Sequence, residues 1–357
     1  MLDRTGRCGS DFSAFYAGGR LLWQGSVYDQ RAVLELQREI VGCAETGNAF
    51  IRLPFFAVLT APLGLLSYPA ALLIWKCLLG LLLAGFVWLW PGPRWRTAAF
   101  VFWSLPMVVG FAYGQDVIAV LLLMAASIRL LRAKRPRAAG ALIAMGAIKI
   151  HLFLWAPLLA VVRRRWGFLA GWAAVGAGLA AISFLAAGPH WPAAFVNSAL
   201  NSTANPHLET MINFRGMFHG MKYAAVWEIL ASSILFAAVA RPLLRWPFEA
   251  AACLALAASV PIGHHSYTYD LVCLLPLSLL VIEHGSGRWL RASTIFMASP
   301  ILPLLPLPWS SETSYQIAVP LFILWVALRY RPAAEATSGD LMNPSRPSDH
   351  VLADTRL

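Results

Sequence analysis

The chain has 357 residues, 59% of them hydrophobic and only 13% charged, with a mean hydropathy of +0.64. That balance excludes an ordinary soluble domain, and recurrent apolar runs near twenty residues predict an all-α, polytopic transmembrane protein of about nine or ten spans. The net charge of +11 falls in short clusters between apolar runs, a footprint of membrane orientation and not of nucleic-acid binding.

Residues 1–50 are mixed and polar. The stretch 11–29, DFSAFYAGGRLLWQGSVYD, holds Asp11, Tyr16, Gly18, Gly19, Gly25, Tyr28 and Asp29, and residues 29–41 predict an amphipathic helix. The segment 52–68 is apolar but short, interrupted by Pro54 and Pro62, and reads as an interfacial or re-entrant half-helix. Spans are expected at 69–90, 97–113, 116–131, 166–187, 224–240, 247–263, 269–284, 290–308 and 315–329.

Two kinds of loop separate these spans. One kind is basic: Arg94 and Arg96; Arg129, Arg132, Lys134, Arg135 and Arg137; Arg163–Arg165; Arg241 and Arg245; Arg288 and Arg291; Arg329 and Arg331. The other kind, at 114–116, 188–223, 264–268 and 309–314, holds only Arg215 and Lys222 as cations. The excess of positive charge assigns the first kind to the cytoplasm and the second to the outside. Segment 138–162 has basic clusters on both sides and is too short for two crossings, so a re-entrant hairpin is expected, with Lys149, His151 and Pro157 near its turn, a single span with Arg163–Arg165 outside being the alternative.

Counting back places the opening stretch outside. A leading helix ahead of Met1 is expected to carry it there, translocation by the following span being the alternative. The expected organisation is one transmembrane domain over 1–330, with 1–50 as the first extracytoplasmic loop region, and a disordered cytoplasmic tail over 331–357, rich in Pro, Ser and Asp. Cys77, Cys253 and Cys273 lie in apolar segments, and no CxxC or other metal spacing occurs, so neither a metal site nor a cofactor is expected. An extracytoplasmic location would allow a Cys8–Cys43 disulfide, which is not the expected state. The prevalence of Arg over Lys, with many Ala and Trp, suits a GC-rich bacterial gene, hence a bacterial inner membrane.

The outward loops gather Asp11, Asp29, Gln115, Asp116, His190, His207, His219, His264, His265, Tyr267 and Asp270 with several asparagines. Carboxylates and amides that bind hydroxyls, beside aromatic rings that cover an apolar sugar face, suit a carbohydrate. Read singly, each is a solvated loop residue, Asp11 is a helix N-cap before FSAFYAGG, and Asp270 is as readily a cap as a site residue. Lys76 and Lys149 fall within apolar segments, where a cation is costly. Each is a candidate for function, against snorkelling for Lys76 and carbonyl capping for Lys149.

Asp11-Phe-x-x-Phe-Tyr16, then Gly25-x-x-Tyr28-Asp29, then a Pro-punctuated segment with Pro62-Leu63, resembles the opening of glycosyltransferase family 87. Gly114-Gln115, Lys149 and Tyr267-x-Tyr269-Asp270-Leu271 extend the resemblance over residues 11–330. Two features depart from the family: its Tyr-x-Pro entry reads Arg52-Leu53-Pro54 here, and residues 1–10 hold no apolar run to match its leading transmembrane helix, which is expected ahead of Met1. The resemblance implies a C-type membrane glycosyltransferase at the extracytoplasmic face. Such an enzyme would move a sugar, most commonly mannose, from a polyprenyl-phosphate donor to a lipid or glycan acceptor with inversion. It places the general base at Asp11 and leaves Arg52, Lys76, Lys149, Arg215, His264 and His265 as candidates for the donor phosphate. Tyr16, Tyr28, Asp29, Gln115, Asp116, Tyr267 and Asp270 are candidates for the sugar or acceptor. A transporter or flippase of a lipid-linked saccharide is the competing reading, disfavoured because polar groups cluster in the outward loops and no internal repeat is visible.

Overall fold

The computed structural model describes residues 11–41, 47–201, 208–285, 287–299 and 311–332. Among them every regular element is helical. Cys8 and Cys43, the expected tail beyond Pro332 and residues 300–310 lie outside the described residues.

Three 22-residue helices are long and apolar enough to cross a bilayer: α4 (Tyr68–Leu89), α11 (Trp166–Ala187) and α14 (Ala224–Arg245). At 1.5 Å per residue each reaches about 33 Å, matching a hydrocarbon core of about 30 Å. Only 22, 17 and 11% of their apolar windows are buried, so most of their hydrophobic surface is left for lipid.

Two further apolar segments are bent helix pairs, each a broken span or a re-entrant loop. The expected single span at 97–113 is broken into α5 (Arg94–Trp103) and α6 (Leu105–Tyr113), 74° apart. Ser104 between them is extended, and Pro106 cannot donate to a preceding turn, which is why the helix does not run through. The segment expected as a hairpin comprises α8 (Pro136–Ala144), a 3-10 stretch (Met145–Lys149), α9 (Ile150–Phe153) and α10 (Trp155–Val162). Its two arms meet at 105°, which is incompatible with one straight crossing.

Among the described residues the count by length is therefore three, or five with each bent pair as one span. It does not confirm the nine or ten expected crossings, because several apolar runs form shorter helices: α7 (Val117–Arg132), α15 (Phe248–Ile262) and α17 (Arg288–Ala298). Their 11 to 16 residues extend about 16–24 Å. Thr268–Leu274 is 3-10 and leads into α16 (Leu275–His284), and α18 covers Ser311–Arg329.

The amino-terminal part adds α1 (Phe12–Leu21), α2 (Gln30–Val41) and α3 (Pro54–Gly64), the last an 11-residue half-helix as the prolines suggested. An aromatic cage seats α1 on α3 and α4. Phe12 stacks on Trp75 at 5.4 Å and on Tyr68 at 5.9 Å, while Phe15 meets Phe56 edge-on at 5.1 Å. Elsewhere α8 lies directly against α11, where a Cβ added at Gly140 would stand 1.9 Å from the Phe168 carbonyl oxygen.

Charge separates along the helix axes. At one end Arg129 donates to the Leu89 carbonyl (2.6 Å), Arg132 pairs with Glu249 (2.8 Å), and Arg163 donates to the carbonyls of Leu243 and Trp246. The opposite end of α7 begins at Asp116, where Arg52 and Lys149 gather.

Candidate active site

Segments far apart in sequence converge at that end: the start of α1, residues 48–52, the 114–116 turn, Lys149, and 264–270. The turn itself depends on Gly114, which adopts a left-handed conformation (φ 72°) after α6 and lends its carbonyl to the Trp75 indole at 2.7 Å.

Asp11 opens α1, yet its side chain makes no capping hydrogen bond. Its carboxylate instead accepts from the Asn48 side-chain amide at 2.6 Å, and its own amide donates to the Tyr113 carbonyl at 3.1 Å. A buried relay fixes Asn48. Ser13 donates to Gln37 (2.9 Å), and Gln37 both accepts from the Asn48 amide (3.0 Å) and donates to its carbonyl (2.7 Å). The N-cap reading therefore fails, because the oxygen that would turn back on the helix is directed to Asn48. Burial pushes the Asp11 carboxyl up to about 7. Lys149 and Arg52 oppose that rise, and Asp116 and Asp270 add to it.

Two buried ion pairs surround it. Arg52 grips Asp116 through Nε (2.6 Å) and Nη2 (3.0 Å), and its Nη1 goes to the Ile51 carbonyl. Lys149 pairs with Asp270, stands 3.8 Å from Asp116 and lies over the Tyr269 ring at 4.9 Å. The other oxygen of Asp270 accepts from the Tyr267 amide at 3.0 Å, so Asp270 is both a turn cap and an ion-pair partner. Three carboxylates thus face two cations. Near them the Gln115 side-chain oxygen and His151 Nε2 are buried without a hydrogen-bond partner. Such groups are costly to leave unpaired and suit an incoming polyol.

A second layer carries Arg215 and His264, which touch through Nη1 and Nε2. Asn213 positions Arg215: its side chain accepts from the Gly216 amide (2.9 Å) and donates to the Gly263 carbonyl (2.6 Å), joining this turn to the His264 loop. Gln316 of α18 secures the same turn through the Met211 carbonyl at 2.7 Å. Burial and Arg215 hold the His264 imidazole below its ordinary pKa. Burial, with His151 adding to it, takes His265 down to about 3. Both rings are therefore neutral near pH 7, and Arg215 has no carboxylate partner among the described residues. Tyr267 lies between the two layers. Its phenol is pushed above its ordinary range by burial, with Asp11 and Asp270 adding to the rise and Arg215 opposing it.

Four expected site residues are used elsewhere. The Tyr16 hydroxyl donates to the Leu66 carbonyl (2.7 Å) inside the aromatic cage, and the Tyr28 hydroxyl donates to the Arg52 carbonyl (2.7 Å). Asp29 is exposed and caps α2 through the amides of Arg31 and Ala32. Lys76 donates to the last carbonyls of α6, at Phe111 and Ala112. Tyr16, Tyr28 and Lys76 thus donate to backbone carbonyls, and Asp29 accepts from backbone amides through Oδ1. Asn48 and Asn213 were not foreseen, since an isolated asparagine in a polar loop carries no periodic or spacing signal. Among the described residues no group of three or more His, Cys, Asp or Glu side chains is gathered to hold a metal ion.

Residues 50–263, more than half of the chain, match the family model of glycosyltransferase family 87. The chain belongs to glycosyltransferase family 87. No curated protein and no solved structure matches it. Within the matched stretch of this family 87 member lie Arg52, Gln115, Asp116, Lys149 and Arg215, whereas Asp11 precedes it and His264 to Asp270 follow it. The chain is thus a glycosyltransferase with an all-helical, membrane-type architecture, and its outlying site residues are joined to the matched ones by the contacts described above.

Proposed function

We propose that this enzyme transfers a sugar, mannose in the first instance, from a polyprenyl-phosphate donor to a hydroxyl of a lipid or glycan acceptor at the extracytoplasmic face. Asp11 is the general base. The observation that carries this reading is the Asp11 carboxylate itself, held by Asn48, free of a capping role, and raised to about 7 beside two neutralised ion pairs. A sugar hydroxyl is a weak nucleophile, and a carboxylate titrating near the working pH accepts its proton during attack on the anomeric carbon. The lipid phosphate leaves as a stable anion and needs a cation rather than an acid.

Among the candidates Arg215 fits that cation best. Arg52 and Lys149 are each neutralised by a carboxylate, whereas Arg215 rests against a neutral imidazole and keeps its full charge. Arg52 and Lys149 instead hold Asp116 and Asp270 in place. A single displacement of this kind inverts the anomeric centre. An apolar cavity of about 550 Å³ between α4, α5 and α6, lined by residues including Leu83, Val101 and Phe111, suits an isoprenoid chain, and Phe111 is three residues from Gly114.

The experiment is reconstitution with polyprenyl-phosphate mannose and candidate acceptors, comparing wild type with Asp11→Asn. Loss of transfer with donor binding intact is expected. Undiminished transfer by the variant would remove Asp11 as base, and lipid movement without glycosidic-bond formation would favour a flippase.

A further inference from the structure

At the other end of the bundle the final turns of α14 and α18 enclose a pocket of about 330 Å³ into which Arg241, Arg245 and Arg331 all face. The N-terminal parts of the same two helices hold the Arg215 turn, so the pocket lies about 33 Å from it along α14. None of the three arginines has a carboxylate partner among the described residues, in contrast to Arg132, which pairs with Glu249 nearby. Among the described residues Arg331 donates to the neighbouring Tyr330 carbonyl.

The wall behind them is fixed. Trp246 is buried, its ring meets Tyr330 edge-on at 5.3 Å, and its carbonyl accepts from Arg163. The remaining lining is apolar and includes Ala238 and Leu328. Ile234 is one turn above Ala238 on α14, and Leu321 is two turns above Leu328 on α18. Both are exposed, and most of the apolar surface of α14 is left for lipid.

We infer that this pocket binds the phosphodiester headgroup of an anionic phospholipid, with the acyl chains lying along the Ile234 and Leu321 faces. Three guanidinium groups in a concavity, without a carboxylate partner among the described residues, recognise phosphate oxygens by charge-assisted hydrogen bonds, and arginine presents the planar fork that such oxygens fit. The apolar strip rising from the pocket distinguishes a lipid from a soluble phosphate. Basic pockets between membrane helices recognise anionic headgroups on this principle, each arginine contributing about fivefold in affinity near a membrane surface.

The test is native mass spectrometry of the full-length protein in a neutral detergent, titrated with phosphatidylglycerol, phosphatidylcholine or inorganic phosphate. Phosphatidylglycerol should bind at least about tenfold more tightly than phosphatidylcholine. Arg241→Gln with Arg245→Gln should weaken phosphatidylglycerol about twenty- to thirtyfold and leave phosphatidylcholine unchanged. Arg331→Gln, which lies outside both helices, should cost about fivefold and keeps the question answerable if the α14 pair misfolds. Arg135→Gln with Arg137→Gln, in a separate basic loop, should have no effect. Equal affinity for the two lipids, unchanged binding by the pocket variants, or an equal loss in the Arg135 and Arg137 variant would overturn the assignment. Displacement of phosphatidylglycerol by equimolar inorganic phosphate would make this a soluble-anion site and overturn the lipid reading.

Discussion

The Asp11 carboxyl titrates near 7 in the fold, against 3.8 for an ordinary aspartate, and this shift has two separable consequences. As a base it works only when ionised. About a tenth of the molecules carry the ionised form at pH 6 and about nine-tenths at pH 8, so wild-type transfer should rise about tenfold over that interval. A pKa of 3.8 would give a flat profile across the same range. The donor phosphodiester is fully ionised throughout and adds no slope. Asp11→Asn should lie about 10²–10⁴-fold lower and show no rise. The same shift reaches stability with the opposite sense. A group whose folded pKa lies above its unfolded value stabilises the fold fully below pH 3.8, and that stabilisation is lost as pH climbs through about 7. The melting temperature of wild type should therefore fall between pH 5 and pH 8 relative to Asp11→Asn, a measurement that needs no substrate. A wild-type rate varying less than twofold from pH 6 to 8, together with parallel melting curves, would refute the raised carboxyl and the base role built on it.

Other substitutions separate the ion pairs from the donor cation. Arg215→Ala should raise the KM for the lipid-linked donor by about ten- to a hundredfold, the worth of a charge-assisted hydrogen bond, with the melting temperature little changed. Lys149→Met strands the buried Asp270 carboxylate and should cost about 3–5 kcal/mol of stability, read as a large fall in melting temperature; a change under 1 kcal/mol would show that the pair is not buried as described. Tyr28→Phe removes one hydrogen bond to the Arg52 carbonyl and should cost about 1 kcal/mol while the KM for the acceptor stays as it was. A large rise in that KM would return Tyr28 to the binding site.

Much of the helical framework was legible in the sequence because apolar runs and loop charge are local signals. The spans expected at 69–90 and 166–187 coincide with α4 and α11, the half-helix after Pro54 with α3, and the amphipathic pattern at 29–41 with α2. Crossing number was less legible. An apolar run states that a segment is out of water, and α15 at 15 residues is as apolar as a span without the length of one. The break at Ser104 was written in Pro106 and was outweighed by the continuous hydrophobicity around it. Side-chain pairings were not legible at all. Arg52 meets Asp116 across 64 positions, Lys149 meets Asp270 across 121, and Asn48 meets Asp11 across 37, separations that no helical period relates. Tyr16, Tyr28 and Asp29 show the converse. A tyrosine or aspartate beside a turn serves backbone carbonyls and amides as readily as it serves a ligand.

Under the proposed reaction, the uneven count of three carboxylates against two cations would make proton traffic part of the catalytic cycle. In the proposed reaction each glycosidic bond delivers one proton to Asp11 and brings the cluster to electrical balance, a resting point from which no second hydroxyl can be activated. The enzyme is rearmed only when that proton departs. Asp116 and Asp270 are 1% exposed and locked to cations, whereas Asp11 alone of the three keeps partial access to the outside. The same carboxylate is therefore the entrance for the acceptor's proton and its exit. A bound product lying over Asp11 would hold the site in its discharged state until it leaves.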